Sequence, residues 1–133
     1  MAETLKIDSP DNAACLTLRR LDQDYSVAEV SGKGLNASIR VGSFLSESLG
    51  EFFAGLAENW KGWSGARTWN SLEGEFGLRA RSDRTGHVQL SVRLTEGGPP
   101  AWEVEVNLIL EAGQLDRIAT DASAFITRGI RAS

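Results

Sequence analysis

Apolar and polar residues alternate with period two through most of this chain, and two stretches replace that alternation with the three-and-four spacing of an amphipathic helix. In "CLTLRRL", Leu16 and Leu18 share one side while Thr17 and Arg19 share the other. "LDQDY" supplies turn chemistry, "YSVAEVS" predicts a second strand, and "GKG" leads into "LNASIRV", where Leu35, Ala37, Ile39 and Val41 share a face. Ser9-Pro10-Asp11-Asn12 are turn formers, so residues 1–13 are expected to be an N-terminal arm. The period changes at Ser43, a suitable N-cap, and Leu45, Leu49, Phe52, Leu56 and Trp60 then form a helical stripe that Gly62 is placed to end. Gly50 and Gly55 each cost such a helix about 1 kcal/mol relative to alanine, so its stability has to come from docking.

The pattern then restarts. "FGLRARS" sets Phe76, Leu78 and Ala80 against Arg79 and Arg81, and "DRTG" makes a tight turn. "HVQLSVRL" alternates Val88, Leu90, Val92 and Leu94 against Gln89, Ser91 and Arg93, and the loop "TEGGPPA" follows. "WEVEVNLIL" opposes Trp102, Val104, Val106, Leu108 and Leu110 to Glu103, Glu105 and Asn107. A closing helix is predicted from about Glu111 to Thr127, carrying Leu115, Ile118, Ala119, Ala122, Phe125 and Ile126, with Gly129 as its stop. Residues 14–61 and 76–128 therefore both read strand, strand, strand, helix, joined by a Trp-rich connection at 62–75. The expected fold is α+β: two βββα halves forming a six-stranded antiparallel sheet with two helices packed on one face. An open barrel or sandwich built from the two halves is the alternative.

Composition narrows the functional classes. At 133 residues the chain is the size of one domain, and its 41% hydrophobic and 24% charged content is that of a soluble globular protein. No segment has the ~20 apolar residues of a membrane span, and the start lacks an apolar signal region, so a cytoplasmic location is expected. Cys15 is the only cysteine, which excludes an internal disulfide and a cysteine-based zinc site, and it is expected to be a small buried residue. The 14 basic and 18 acidic residues give a net charge of −4 without a basic run, which argues against nucleic acid as a partner and fits a basic one.

The candidate chemistry is sparse. Arg79, Arg81 and Arg93, with Glu103 and Glu105, fall on the polar face of three successive strands. There they can form cross-strand ion pairs or recognise a carboxylate or phosphate. Glu73 and Glu75 form a paired carboxylate that could serve acid–base work, although Gly74 makes the same stretch a turn into a strand. His87, the only histidine, flanks a hairpin and would have to be the base of any histidine triad. Neither GxxxxGK[ST] nor GxGxxG occurs. Three of the four tryptophans lie in "WKGWSGARTW". Trp60 belongs to the helix stripe and Trp102 to a strand's apolar face, whereas Trp63 and Trp69 lie in the connection. Those two either cover one end of the sheet or, with Arg67 between them, form a recognition surface.

The stretch "WKGWSGARTWNSLEGEFGLRA", followed by "GHVQLSVRL" and "WEVEVNLILEAGQLDRIA", resembles an uncharacterised family of small proteins found mainly in actinobacteria. The resemblance covers about residues 40–128. It implies a free-standing bacterial cytoplasmic domain and supplies no catalytic residue. Together these readings predict a non-catalytic binding protein, with an antitoxin-like or immunity-like protein as one concrete form. Its ligand- or partner-binding residues would be drawn from Trp63, Arg67, Trp69, Glu73, Arg79 and Arg81. No cofactor, metal or catalytic residue is expected. The alternative is a small-molecule binder or minor hydrolytic enzyme with its site at the connection, using Glu73, Arg67 and the tryptophans. Self-association through an edge strand is a third possibility.

Overall fold

The computed structural model describes residues 4–10, 13–22, 24–42 and 47–132. Eight strands and two helices follow in the order β1 (Thr4–Asp8), β2 (Cys15–Arg20), β3 (Tyr25–Gly32), β4 (Leu35–Gly42), α1 (Glu47–Glu58), β5 (Ala66–Asn70), β6 (Phe76–Ser82), β7 (His87–Glu96), β8 (Trp102–Glu111) and α2 (Leu115–Ala132), with a 3-10 turn at Ala112–Gln114 leading into α2. The strands form two separate four-stranded antiparallel sheets, β1-β2-β3-β4 and β5-β6-β7-β8, each a meander of consecutive hairpins.

The expected single six-stranded sheet is thereby overturned, and each half is ββββα. Two strands account for the difference. β1 lies in the segment taken as an arm, and β5 lies in the segment taken as a connection. The helices do not lie side by side on one face of a common sheet. They pack against each other, and each also touches the first strand of the opposite half, α1 against β5 and α2 against β1. Arg20 fastens β2 to α2: its guanidinium donates to the Phe125 carbonyl at 2.6 Å and stacks 4.7 Å from the Phe125 ring.

One apolar cluster serves both halves. Leu5, Ile7, Leu16, Leu18, Ala28, Val30, Ile39 and Val41 come from the first sheet, and Trp69, Phe76, Leu78, Ala80, Val88, Leu90, Val92, Leu94, Leu108 and Leu110 from the second. Register explains the sorting: Leu5 opposes Leu18, and Trp69, Leu78 and Val92 lie in one cross-strand row. α1 adds Leu49, Phe53 and Leu56, and α2 adds Leu115, Ile118, Ala122, Phe125 and Ile126. Phe53 rather than Phe52 is the buried ring, with Phe52 packed edge-on against it. α2 runs through Gly129, which therefore does not stop it. The proposed N-cap Ser43 and the first stripe residue Leu45 lie outside the described residues.

Two further expectations are corrected by packing. Trp60 is 56% exposed, because α1 ends at Glu58 and the turn that follows carries its ring off the stripe; Lys61 covers it from 5.6 Å. The chain leaves that turn at Gly62, whose φ of +126° suits glycine and whose added Cβ would come within 2.9 Å of Arg84. Cys15 alternates onto the outer face of the first sheet beside Thr17 and is only half-buried; that partial burial pushes its thiol pKa up.

The edge strand β8 is latched at Ile109 by a side chain from the first half. The Ser9 hydroxyl accepts from the Ile109 N–H at 2.9 Å and donates to the Ile109 carbonyl at 3.1 Å. Gln114 adds a bond to the Asp8 carbonyl at 3.1 Å. Both backbone groups of Ile109 are thereby paired, which an edge strand ordinarily leaves to solvent or to another chain.

Candidate functional site

β5 decides which way the residues of the Trp-rich segment point. Because strand side chains alternate, Arg67 and Trp69 turn inward while Ala66, Thr68 and Asn70 turn outward. Trp63 and Trp69 are both buried, and each indole N–H is satisfied: Trp63 donates to the Ala80 carbonyl at 3.2 Å and Trp69 to the Ser48 hydroxyl at 2.9 Å. Trp69 meets Phe76 edge-on at 5.4 Å. Arg67 is half-buried, with its guanidinium 5.3 Å from the Trp63 ring and a long contact of 3.5 Å to the Gly55 carbonyl. These three residues form one packed group that joins β5 to α1 and β6.

Glu73 and Glu75 lie in the turn between β5 and β6 and approach the end of β4. A β-carbon on Gly42 would stand 3.8 Å from a carboxylate oxygen of each. Glu75 accepts from the Gly42 N–H at 3.3 Å and from the buried Ser71 hydroxyl, and Ser71 in turn accepts from the Phe76 N–H at 3.1 Å. Glu75 therefore clasps the turn to the first sheet, while Glu73 is exposed beside it. His87 opens β7, its Nδ1 3.2 Å from the Asp83 carboxylate in a half-exposed pair. The N–H groups of Thr85 and His87 hold the Asp83 carboxyl at about 2, below its ordinary 3.8. Among the described residues, no group of three His, Cys, Asp or Glu side chains is placed to hold a metal ion.

The outer face of the second sheet brings polar side chains together in register. One cross-strand row runs Thr68, Arg79, Ser91, Asn107, and the next runs Asn70, Gly77, Arg93, Glu105. Arg81 and Gln89 stand in the row beyond Arg79. Gly77 lies at the floor of a depression of about 200 Å³, and its φ is not positive, so space rather than backbone conformation calls for glycine. An added Cβ would come within 2.7 Å of the Asn70 amide oxygen and 3.5 Å of the Arg93 guanidinium. Arg93 reaches across Gly77 to that Asn70 oxygen at 3.4 Å. Arg79 faces Glu105 diagonally at 3.9 Å, with both side chains nearly half exposed. Ser91 donates to Asn107 at 2.6 Å. Among the described residues Arg81 makes no ion pair or hydrogen bond through its side chain.

The six residues expected to bind a ligand or partner thus fall in three places. Trp63, Arg67 and Trp69 are inside, Glu73 is at the junction of the sheets, and Arg79 and Arg81 are on the outer face. The sequence reading placed Arg93 on the polar face, yet Asn70, Thr68 and Gly77 went unnoticed beside it. The signal for Thr68 and Asn70 was the alternation of "ARTWN", concealed by an arginine at an inward position, whereas Gly77 stood in the outward register of "FGLRARS".

Among the described residues, no helix is long and apolar enough to cross a membrane. No curated protein sequence matches this chain. A solved structure of the plant transcriptional regulator PBF-2 superposes with a TM-score of 0.49 and 8% sequence identity, covering 97% of this chain and 84% of that one, a likeness too slight to carry an inference. Residues 8–129 match the family of unknown function DUF6228, and the chain belongs to that family.

Proposed function

We infer that this chain is a non-catalytic binding protein that recognises a protein partner through the outer face of its second sheet. The observation that carries this reading is the state of the arginines there. Three guanidiniums stand on neighbouring strands of one sheet, yet the only ion pair on that face among the described residues is the 3.9 Å contact between Arg79 and Glu105. Guanidiniums not tied into strong cross-strand pairs are open to a partner's acidic or carbonyl groups. An exposed pair at that distance contributes little to stability, and a partner can compete for it at small cost. Arginine on a rigid support is also among the residues that most often dominate binding energy at interfaces.

An antitoxin-like or immunity-like protein acting in the cytoplasm of an actinobacterium is one concrete form of this reading. The competing idea of a small-molecule or hydrolytic site at the Trp-rich segment has less support. Its tryptophans are buried with their N–H groups paired, and Arg67 is engaged against Trp63. The test is affinity purification from the native host with the wild-type chain and with Arg79→Ala/Arg81→Ala. A stoichiometric protein that the wild type retains and the variant loses, at unchanged thermal stability, is the expected result. Recovery of no such protein, or equal recovery by both chains, would sink the proposal.

A further inference from the structure

The Gly77 depression has the makings of a site for one particular chemical group. Its floor is a glycine that the backbone does not require, and a single methyl group there would collide with the Asn70 side chain and crowd Arg93. Two guanidiniums flank the opening, each held by a weak contact: Arg93 by a 3.4 Å bond to Asn70, and Arg79 by a 3.9 Å approach to Glu105. Thr68 on β5 and Ser91 on β7 add hydroxyls to the lining. The guanidiniums and the Thr68 hydroxyl supply donors to this recess, the Ser91 proton being given to Asn107, and guanidinium forks grip the paired oxygens of a carboxylate or phosphate.

Charge identifies which oxyanion. The ionised residues lining the depression are Arg79, Arg93 and Glu105, so the recess carries one unit of excess positive charge. A carboxylate brings one negative charge and balances it. A phosphate monoester carries nearly two at neutral pH and would meet Glu105 with charge left over. We propose that the Gly77 depression binds a carboxylate, gripped by Arg79 and Arg93 and assisted by the Thr68 hydroxyl, with the Arg93 guanidinium released from the Asn70 oxygen as it turns to the ligand. The proposal rests on the outer face being the recognition surface, and it makes an acidic side chain or free acid the group recognised. This local preference is compatible with the chain's net charge of −4, because charges at contact distance act on a bound group far more strongly than exposed charges elsewhere, which salt screens over about 10 Å.

The experiment is a two-dimensional NMR titration of the isotopically labelled chain with acetate, with glutamate blocked at both backbone ends, and with inorganic phosphate at neutral pH. Saturable shifts at Gly77, Arg79 and Arg93 with the carboxylates are expected. Gly77→Ala should weaken binding by about tenfold or more, since it fills the floor and displaces Asn70. Arg93→Gln serves as a second variant that adds no bulk. Tighter binding of blocked glutamate identifies a partner's side chain as the source, and tighter binding of acetate a free acid; either supports the carboxylate site. Absence of saturable shifts, retention of binding in both variants, or phosphate binding more tightly than both carboxylates would overturn it. If the titration fails while Arg79→Ala/Arg81→Ala still releases the captured partner, the surface reading stands and the carboxylate assignment alone falls. If the titration succeeds and no partner depends on those arginines, the reverse holds.

Discussion

Replacing Trp63 tests the packing of the Trp-rich segment more sharply than any other single change. Its ring is 7% exposed, its N–H reaches the Ala80 carbonyl, and Arg67 stacks on it. Trp63→Ala removes a buried indole and leaves a cavity beside Arg67 and Ala80, at a cost of about 3–5 kcal/mol. Trp63→Phe keeps most of the ring and loses the hydrogen bond, worth about 1 kcal/mol, together with the packing of the missing atoms. The expected losses are therefore about 4 kcal/mol for alanine and about 1–2 kcal/mol for phenylalanine. Against a total stability on the order of 5–15 kcal/mol, the alanine change should lower the Tm by more than about 10 °C. Urea denaturation followed by far-ultraviolet circular dichroism measures both losses without depending on tryptophan emission, and an unchanged denaturant slope keeps the comparison valid. A loss below about 1 kcal/mol for Trp63→Ala would refute this account and return the ring to the list of candidate contact residues.

Other changes address features far from that ring. Ser9→Ala should cost about 1–2 kcal/mol and speed hydrogen exchange at Ile109, because it strips the partner from both backbone groups of that residue; unaltered exchange would show that the latch is not closed in solution. Ser26 is fully buried and its hydroxyl finds no partner among the described residues, so Ser26→Ala should leave the thermal transition unchanged or raise stability by up to about 1 kcal/mol, and a clear fall in Tm would contradict that. The Asp83 carboxyl is held at about 2 against an ordinary 3.8, so the stabilisation it confers is fully present above the unfolded value and is lost as pH falls toward the folded one. Asp83→Asn should accordingly flatten that acid limb of a stability–pH profile, and an acid limb of unaltered steepness would contradict this.

Much of the architecture was legible because most core strands alternate cleanly. Phe76, Leu78 and Ala80, and Val88, Leu90, Val92 and Leu94, are inward residues in both the sequence pattern and the structure. What period two cannot reveal is where pairing stops: it assigns a face to each residue, while sheet boundaries depend on contacts between strands distant in the chain. The division into two sheets follows from strands with faint local signatures. β1 shows only Leu5 and Ile7 before Ser9-Pro10 interrupts, and β5 hides because its inward pair is Arg67 and Trp69. An arginine can occupy that position since its stem packs and its head stacks on Trp63. Trp60 misled for the converse reason, continuing a helical spacing two residues past the helix that produced it. On the outer face, Arg79 and Arg81 were plain from alternation, whereas Gly77 matters through the room it leaves beside Asn70, which only the assembled register brings near.

The crossed placement of the helices sets how this molecule comes apart. Each helix lies against the leading strand of the half that does not contain it, and Arg20 and Ser9 add bonds in the same sense. Peeling either ββββα unit away would strip the other of part of its cover, so neither has a partly open form that keeps its own core dry. Local openings should be confined to loops, and the deepest amides of both sheets should exchange with solvent through one shared global event. The two architectural repeats thus behave as a single cooperative unit, with the outer face of the second sheet held by the whole molecule rather than by the four strands that display it.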